Sequence, residues 1–166
     1  MSPPDAPTPR AGRRRKAPPG DLNGLYGSAE FLIRRAHQLA SAAFTEACRH
    51  LDLTPSQYAA LFTLRQMDGT SHNELGRLVS LDRSTMSVVL RSLRERGLVD
   101  AVDDPTDRRK TRLHLTDAGR LTLAQAERRG AAAGDALLEP LGDRKAQLLL
   151  SLLAELSRKA GGETQP

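Results

Sequence analysis

Apolar residues recur at three- and four-residue steps along the chain from Leu22 to Leu51. After Gly27 this stretch contains no glycine or proline that would interrupt a helix. The periodicity predicts one long amphipathic helix over residues 21–52. Because a small domain does not need so long an apolar stripe for its own core, we expect part of it to face a second chain.

Helix-start signals divide the following segment into three shorter helices. A Thr-Pro-Ser-Gln capping box with proline at the first helical position predicts a helix over residues 54–67. Ser71, with Glu74 three residues later, predicts a short second helix. Asp82 is a typical N-cap, and it predicts a third helix over residues 83–96 that ends before a glycine.

The apolar periodicity changes to two after this third helix. Segments 98–102 and 112–115 alternate and are separated by an Asp- and Pro-containing turn, which predicts a β-hairpin. The charged residues at its tip are Asp107, Arg108, Arg109 and Lys110. Thr116 and Asp117 begin another long helix, which we expect to weaken at two internal glycines, and a leucine-rich final helix begins near Asp143.

Two short helices joined by a tight turn, followed by a hairpin with a basic tip, are typical of a winged helix-turn-helix. We therefore predict a mainly α protein with this unit, a two-stranded wing and long N- and C-terminal helices for dimerisation. The predicted segments are a disordered basic arm (1–20), an N-terminal dimerisation helix (21–52), a winged DNA-binding lobe (53–118), C-terminal dimerisation helices (119–160) and a flexible tail (161–166).

Composition and charge narrow the function classes. The chain has 166 residues and one cysteine, which excludes an intramolecular disulfide framework and leads us to expect a cytoplasmic protein, nucleoid-associated when bound to DNA. No run approaches the roughly 18–20 apolar residues of a membrane span, and no secretory signal is visible. Residues 1–20 hold five basic residues against one acidic residue and six of the ten prolines. This composition predicts a disordered basic arm, with a partnerless solubilising tail as the alternative.

Helical spacing divides the helix over residues 83–96 into two faces. The predicted inner stripe consists of Met86, Leu90, Leu93 and Gly97. The residues outside it, which we consider candidates for DNA contact, are Ser84, Thr85, Ser87, Val88 and Arg91. Short hydroxyl side chains allow close approach to phosphates and base edges, arginine pairs with guanine, and valine contacts the thymine methyl group. Taken alone, this face also fits an ordinary solvated helix surface.

The helix-turn-helix resembles that of the MarR family of bacterial transcriptional regulators from Leu75 to Val99, with the sequence LGRLVSLDRSTMSVVLRSLRERGLV. The wing resembles the family's wing over residues 103–119, DDPTDRRKTRLHLTDAG. The combination is specific because the short motifs DRST, RGLV, DPxDRR and LTxxG occur in this order. The resemblance covers about residues 25–160.

The resemblance implies a symmetric homodimer, entwined through the first helix and the last two helices, that binds palindromic double-stranded DNA. Such proteins usually act as repressors and release DNA when a small molecule or an oxidant arrives. The resemblance also implies that Arg109 enters the minor groove while Asp107 braces its guanidinium, an arrangement that suits the negative potential of a narrow groove. Val88 departs from the family pattern, because many relatives carry a polar or basic residue there.

Family members that sense oxidants use a cysteine near the start of the first helix, whereas Cys48 lies near its end. We therefore expect a small buried thiol. A redox-responsive regulator using Cys48, or DNA binding without an effector, are the alternatives. Cys48 and His50 are too few ligands for a closed zinc site, and the helix after the wing lacks the paired histidines of zinc-sensing relatives. No metal or other cofactor is expected.

A small organic effector is the remaining class. The segments FLIRRAHQ (31–38) and TPSQYAALFTL (54–64) resemble the branch of the family that senses aromatic carboxylates. His37 falls at the rim of the apolar stripe and Arg34 lies further out, an arrangement suited to a flat carboxylate beside apolar walls. The candidate ligand-binding residues are Arg34, His37, Tyr58 and His72. The alternative is a hydrogen-bonded packing histidine and a solvated arginine.

An enzyme is not expected. The chain shows no nucleophile elbow, no phosphate-binding loop and no Cys/His metal set. An RNA-binding or purely structural module is also disfavoured, because RNA modules stack bases on aromatic side chains and this chain has five aromatic residues, mostly at core spacing.

Overall fold

A computed structural model describes residues 22–104 and 111–160 of the chain. They belong to two compact units, the first ending at Arg35 and the second beginning at Ala36. The predicted arm (1–20), the predicted wing tip (107–110) and the predicted tail (161–166) lie outside the described residues. No helix within the described ranges is long and apolar enough to cross a membrane.

The N-terminal apolar stripe forms two helices, α1 (Asn23–Tyr26) and α2 (Ala29–Ala47), followed by a 3-10 turn at Arg49–Leu51. The prediction of one continuous helix over residues 21–52 is therefore wrong. The chain turns at Gly27, between the two helices. Ser28 stabilises the start of α2, because its Oγ accepts the Phe31 N–H at 3.4 Å and so satisfies a donor that a new helix leaves unpaired.

The next three helices begin where their capping signals predict. They are α3 (Pro55–Gln66), α4 (His72–Leu78) and α5 (Arg83–Glu95). Thr54 and Gln57 form the reciprocal capping box, since the Thr54 N–H donates to Gln57 Oε1 at 2.9 Å and Thr54 Oγ1 accepts the Gln57 N–H at 3.3 Å. Between α4 and α5, Ser80 takes a left-handed conformation with φ +56°, which makes the turn tight.

The predicted hairpin is present, and a third strand joins it. Strands β1 (Thr70–Ser71), β2 (Val99–Asp103) and β3 (Thr111–Leu115) form an antiparallel sheet in the order β1-β3-β2. Val99 pairs with Leu115 at one end of the hairpin, and Asp103 pairs with Thr111 at the other. Strand β1 has only two residues, which is too short for a periodic pattern to predict.

Two long helices complete the chain, α6 (Asp117–Leu138) and, after a 3-10 turn at Glu139–Leu141, α7 (Asp143–Ala160). The expected weakness of α6 at its glycines is not observed. Gly130 instead allows close packing, because a Cβ there would lie 2.9 Å from Cε2 of Phe44. Gly119 has the same role near the helix start, where a Cβ would lie 2.2 Å from the Leu98 carbonyl oxygen.

The core of the second unit lies between α3, α4, α5, the sheet and α6. Its largest fully buried side chains are Leu61, Leu64, Leu75, Met86, Leu93, Val99 and Leu123. Because α5 contributes to this core along its whole inner face, burial of apolar area fixes the direction in which its opposite face points.

Candidate nucleic-acid interface

Helix α5 buries one face and exposes the other. The buried residues are Met86, Val89, Leu90 and Leu93. This confirms three of the four predicted inner positions and replaces Gly97, which lies beyond the helix, with Val89. The helix closes where predicted, since the Leu98 N–H donates to the Leu93 carbonyl and the Gly97 N–H donates to the Arg94 carbonyl, both at 2.9 Å.

Asp82 holds the start of α5. Its Oδ1 accepts the backbone N–H of Ser84 at 2.9 Å and that of Thr85 at 3.0 Å. The hydroxyl groups of both residues also donate to this carboxylate. These hydrogen bonds, from the Ser84 hydroxyl first and the Thr85 hydroxyl next, hold the pKa of Asp82 well below its ordinary value. Asp82 is therefore ionised at the helix N-terminus, where the helix dipole favours a negative charge.

Ser87 is also engaged within the protein. Its Oγ donates to the Arg83 carbonyl at 2.8 Å and lies 3.1 Å from Nε2 of His72. Because a hydroxyl has a single proton, His72 Nε2 is the donor in the second contact. The hydroxyl groups of Ser84, Thr85 and Ser87, which were predicted to face DNA, thus each donate their proton to an acceptor within the chain. The side-chain donors that α5 offers outward are its arginines.

Val88 and Arg91 lie on the exposed face of α5. The side chain of Val88 is 60% exposed although it is apolar. Arg91 follows one turn later and is also exposed. An apolar branched side chain next to a free guanidinium matches the two kinds of group that a major groove presents, a thymine methyl and a pair of guanine acceptors.

A groove of about 790 Å³ separates α5 from the sheet. Arg91 and Arg94 of α5 line one side, and Asp100 and Thr111 of the wing strands line the other. Leu113, which is buried, lies in the same lining. The helix face and the wing therefore lie on either side of one depression.

Two polar contacts fasten the root of the wing. Arg112 Nε donates to Asp104 Oδ2 at 2.7 Å, and His114 Nδ1 lies 3.0 Å from Asp68 Oδ2. The sequence places Asp68 at a helix end, Asp104 in the turn, and Arg112 and His114 in the return strand, but it assigned none of them a functional role. The available signal was the alternation of β3, in which Arg112 and His114 flank the buried Leu113 on the opposite side of the strand.

Two further side chains that sequence reasoning missed orient α5 against the elements before it. Gln57, which is buried, donates from Nε2 to Ser92 Oγ at 3.0 Å. Arg96, just after α5, donates from Nη2 to the Leu51 carbonyl at 2.6 Å and from Nη1 to the Asp52 carbonyl. The capping box predicts only the hydrogen bonds between Gln57 and Thr54, not the contact with Ser92. Nothing in the sequence indicates which carbonyl groups Arg96 binds.

Tyr58, a predicted ligand residue, lies in an aromatic cluster. Its ring centroid is 5.1 Å from that of Phe44 and 6.1 Å from that of Phe62.

Near Tyr58, Arg65 and Glu127 form a bidentate ion pair with both N–O distances at 2.6 Å, which joins α3 to α6. Burial raises the pKa of Tyr58, and the charge of Glu127 adds to this. The Arg65 hydrogen bond lowers the pKa of Glu127.

The other predicted ligand residues lie in different surroundings. In the first unit, the Arg34 guanidinium lies 5.2 Å from the Phe31 ring centroid, and Phe31 packs against Tyr26 at 5.3 Å. In the second unit, His37 is exposed on α2. His72 is held by Ser87 of α5, so the structure places it beside the candidate DNA-binding helix.

Cys48 is completely buried, and its Sγ lies 4.0 Å from the Ala126 carbonyl oxygen. Burial raises the pKa of the thiol, and the charge of Arg129 only partly opposes this. Because the thiolate is the reactive form, these surroundings disfavour the redox alternative.

Comparisons with known proteins agree with the resemblance of the helix-turn-helix and the wing to the MarR family. The MarR family model matches residues 51–110. A protein of Thauera aromatica named as a transcriptional regulatory protein for the hcr operon is 30% identical over 136 residues, which cover 81% of this chain and 82% of that protein.

The solved structures that are similar to this chain include a repressor bound to DNA and a protein whose DNA binding responds to a small molecule. The transcriptional repressor CouR bound to a 23-mer DNA duplex has a TM-score of 0.78 at 31% identity, covering 85% of this chain and all of that chain. BpsR of Bordetella bronchiseptica, whose DNA binding is regulated by 6-hydroxynicotinic acid, has a TM-score of 0.74 at 25% identity, covering 86% of this chain and 99% of that chain. With the capped helix α5 and the wing sheet beside it, these likenesses show that the chain belongs to the MarR family of winged helix-turn-helix transcriptional regulators.

Proposed function

We propose that this chain is a ligand-responsive repressor that binds palindromic double-stranded DNA as a homodimer. The observation that carries this proposal is the outer face of α5, where Val88 and Arg91 are exposed on a helix whose other face is fixed in the core. The similar repressor that is bound to a DNA duplex supports it, since this chain covers the whole of that chain.

Helix α5 lies in the major groove of the operator, and the wing reaches the adjacent minor groove. Arg91 pairs with a guanine and Val88 contacts a thymine methyl group. Ser84, Thr85 and Ser87 line this contact as hydrogen-bond acceptors, because their protons are already donated within the protein. In the wing, Arg109 enters the minor groove with Asp107 as its brace, and Arg108 and Lys110 contact flanking phosphates.

The second copy in the complex covers the apolar surface of the terminal helices. Six leucines of α7 are between 37% and 56% exposed in the single chain: Leu148, Leu149, Leu150, Leu152, Leu153 and Leu156. So large an apolar face on one helix indicates an interface. A twofold-symmetric dimer matches a palindromic operator, because each copy then reads one half-site.

The effector is a small aromatic carboxylate. The cluster of Phe44, Tyr58 and Phe62 provides aromatic surface within the second unit. Arg34 and His37 are two separate candidates for the carboxylate partner, and His72 is a third beside α5. The regulation of the Bordetella protein's DNA binding by 6-hydroxynicotinic acid supports this class of effector.

DNA binding is tested by selecting bound duplexes from a random library and measuring the affinity of the selected sites by fluorescence anisotropy. We expect an inverted repeat, and we expect Arg91→Ala to lose affinity for it. Arg49→Gln is the matched control, because Arg49 is 79% exposed in a surface pair with Glu46 outside this interface. Selected sites without any repeat, or equal binding by both variants, would contradict the proposal.

The effector is tested by thermal melting and DNA release with benzoate, 4-hydroxybenzoate and 6-hydroxynicotinate. A ligand at 100 times its dissociation constant stabilises the protein by about 2.7 kcal/mol. We expect His37→Ala or Arg34→Ala to reduce ligand potency with unchanged affinity for DNA alone, and Gln38→Ala to behave like the parent. If none of these acids shifts melting or releases DNA, the chain binds DNA without such an effector.

A further inference from the structure

Arg112 occupies the middle of the wing sheet. It lies in β3 opposite Ser71 of β1 and opposite Val102 of β2. Its Nε donates to Asp104 at 2.7 Å, directly after β2, and its Nη1 donates to the Gly69 carbonyl at 3.2 Å, in the turn before β1. One guanidinium therefore joins three segments of the chain.

The acceptor at the wing side is a buried charge. The side chain of Asp104 is 5% exposed, whereas that of Arg112 is 43% exposed. A buried carboxylate is costly unless it is paired and hydrogen-bonded, so the ion pair with Arg112 contributes to holding Asp104 in place. Asp104 immediately precedes the wing tip in the chain, and its position therefore sets where the tip begins.

The turn on the other side belongs to the helix-turn-helix. The Gly69 N–H donates to the Leu113 carbonyl at 3.0 Å, and Asp68 contacts His114 at 3.0 Å, so residues 68–70 are fixed along β3. Helix α4 begins two residues after this turn, at His72. Arg112 thus connects the base of the wing to the start of the helix-turn-helix.

We propose that Arg112 is a positioning residue for DNA binding, which holds the base of the wing against the start of the helix-turn-helix through Asp104 and the Gly69 carbonyl without contacting DNA itself. This proposal rests on the proposed DNA-binding role of the wing. A wing that is already oriented loses less conformational freedom when it binds, and this preorganisation increases affinity. The planar guanidinium donates to the Asp104 carboxylate and to the Gly69 carbonyl at the same time. A lysine ammonium at this position does not reproduce this geometry.

The test is a double-mutant cycle on the selected inverted-repeat duplex with Arg112→Lys, Arg112→Gln and Arg109→Ala. Ordering one side chain contributes about 0.5–1.5 kcal/mol. We therefore expect each Arg112 variant to lose about two- to twelvefold in affinity, since 1.4 kcal/mol corresponds to tenfold. In the Arg109→Ala background we expect a smaller further loss, because only the phosphate contacts of Arg108 and Lys110 then depend on the position of the wing. Arg112→Lys retains the positive charge. A loss of DNA affinity in this variant therefore indicates a positioning role and not a phosphate contact.

Two readouts keep the outcomes apart. In a background that carries Arg108→Ala, Arg109→Ala and Lys110→Ala, Arg112→Gln leaves the salt dependence unchanged if Arg112 only positions the wing, whereas loss of a phosphate contact by Arg112 itself lowers the slope by about 0.9. Circular dichroism and melting confirm that the variants compared are folded, and Arg49→Gln controls for the loss of one charge. If the affinity losses of the Arg112 and Arg109 variants are additive, or if Arg112→Lys binds with full affinity, the positioning role of Arg112 is wrong. The proposed DNA-binding role of the wing is not affected by either result. Parent-like binding by Arg109→Ala overturns the wing assignment and this inference with it.

Discussion

At the level of single residues, the outer face of α5 divides into groups that hold the helix and groups that are free to bind. The hydroxyls of Ser84 and Thr85 donate to Asp82, and that of Ser87 donates to the Arg83 carbonyl. Residue type and helical spacing identify this face but not the use of its hydroxyl protons. That use depends on rotamers that only the folded structure fixes.

Asp82→Asn is expected to lower the melting temperature by a few degrees, because it removes the charge that accepts these bonds. The pKa of Asp82 is lowered in the folded state from an ordinary value of 3.8. Its contribution is therefore present above that value and declines as pH falls below it. Melting of parent and variant across a pH series checks this, with Asp100→Asn as control. A parent–variant difference that is the same at low and neutral pH would contradict it.

Arg91→Ala is expected to relax sequence preference. A bidentate contact to guanine discriminates against other bases by about 1–3 kcal/mol, and this discrimination should disappear at one position of each half-site. Ser84→Ala, by contrast, is expected mainly to lower melting stability, because its hydroxyl donates to Asp82. Its effect on sequence preference should be smaller than that of Arg91→Ala, because only a hydrogen-bond acceptor is lost from the DNA contact. Competition binding with single-base operator changes measures both effects. A uniform loss across all sequences in Arg91→Ala would identify a phosphate contact instead.

At the level of elements, helices with side-chain caps are predictable because the signal is local. Thr54, Ser71 and Asp82 each cap the helix that the sequence assigns to them. The break between α1 and α2 is harder to predict, because the apolar periodicity continues on both sides of it. Strand β1 and the contacts of Arg96 and Arg112 depend on segments far apart in sequence, so no local pattern reveals them.

Helix α6 provides a matched pair of glycines. A Cβ at Gly119 would lie 2.2 Å from the Leu98 carbonyl oxygen, whereas one at Gly134 would meet nothing within 4 Å. Gly119→Ala is expected to destabilise the protein by about 1–3 kcal/mol through overpacking against backbone. Gly134→Ala is expected to stabilise it by about 0.4–1 kcal/mol, because alanine restricts the unfolded chain. Denaturant unfolding of both variants measures this, and equal effects would contradict the close packing of α6 on Leu98.

At the level of the whole molecule, charge is distributed unevenly. The net charge is +5, and residues 1–20 carry five basic residues against one acidic residue. Each phosphate that the protein neutralises contributes about 0.9 to the slope of log affinity against log salt. If all five charges engage DNA, deletion of residues 1–20 is expected to flatten this slope by at most about 4–5. The loss should be equal on operator and random duplexes, and an unchanged slope would leave this segment as a solubilising tail.

The proposed dimer brings these scales together, because α7 supplies the interface and α5 supplies the DNA contact. Sedimentation with a fluorescent inverted-repeat duplex measures both at once. We expect two chains per duplex for the parent, and we expect Leu149→Glu and Leu153→Glu to sediment as monomers that lose operator binding. A parent that sediments as a monomer at micromolar concentration, or that binds the duplex as a single chain with full affinity, would contradict a dimeric repressor.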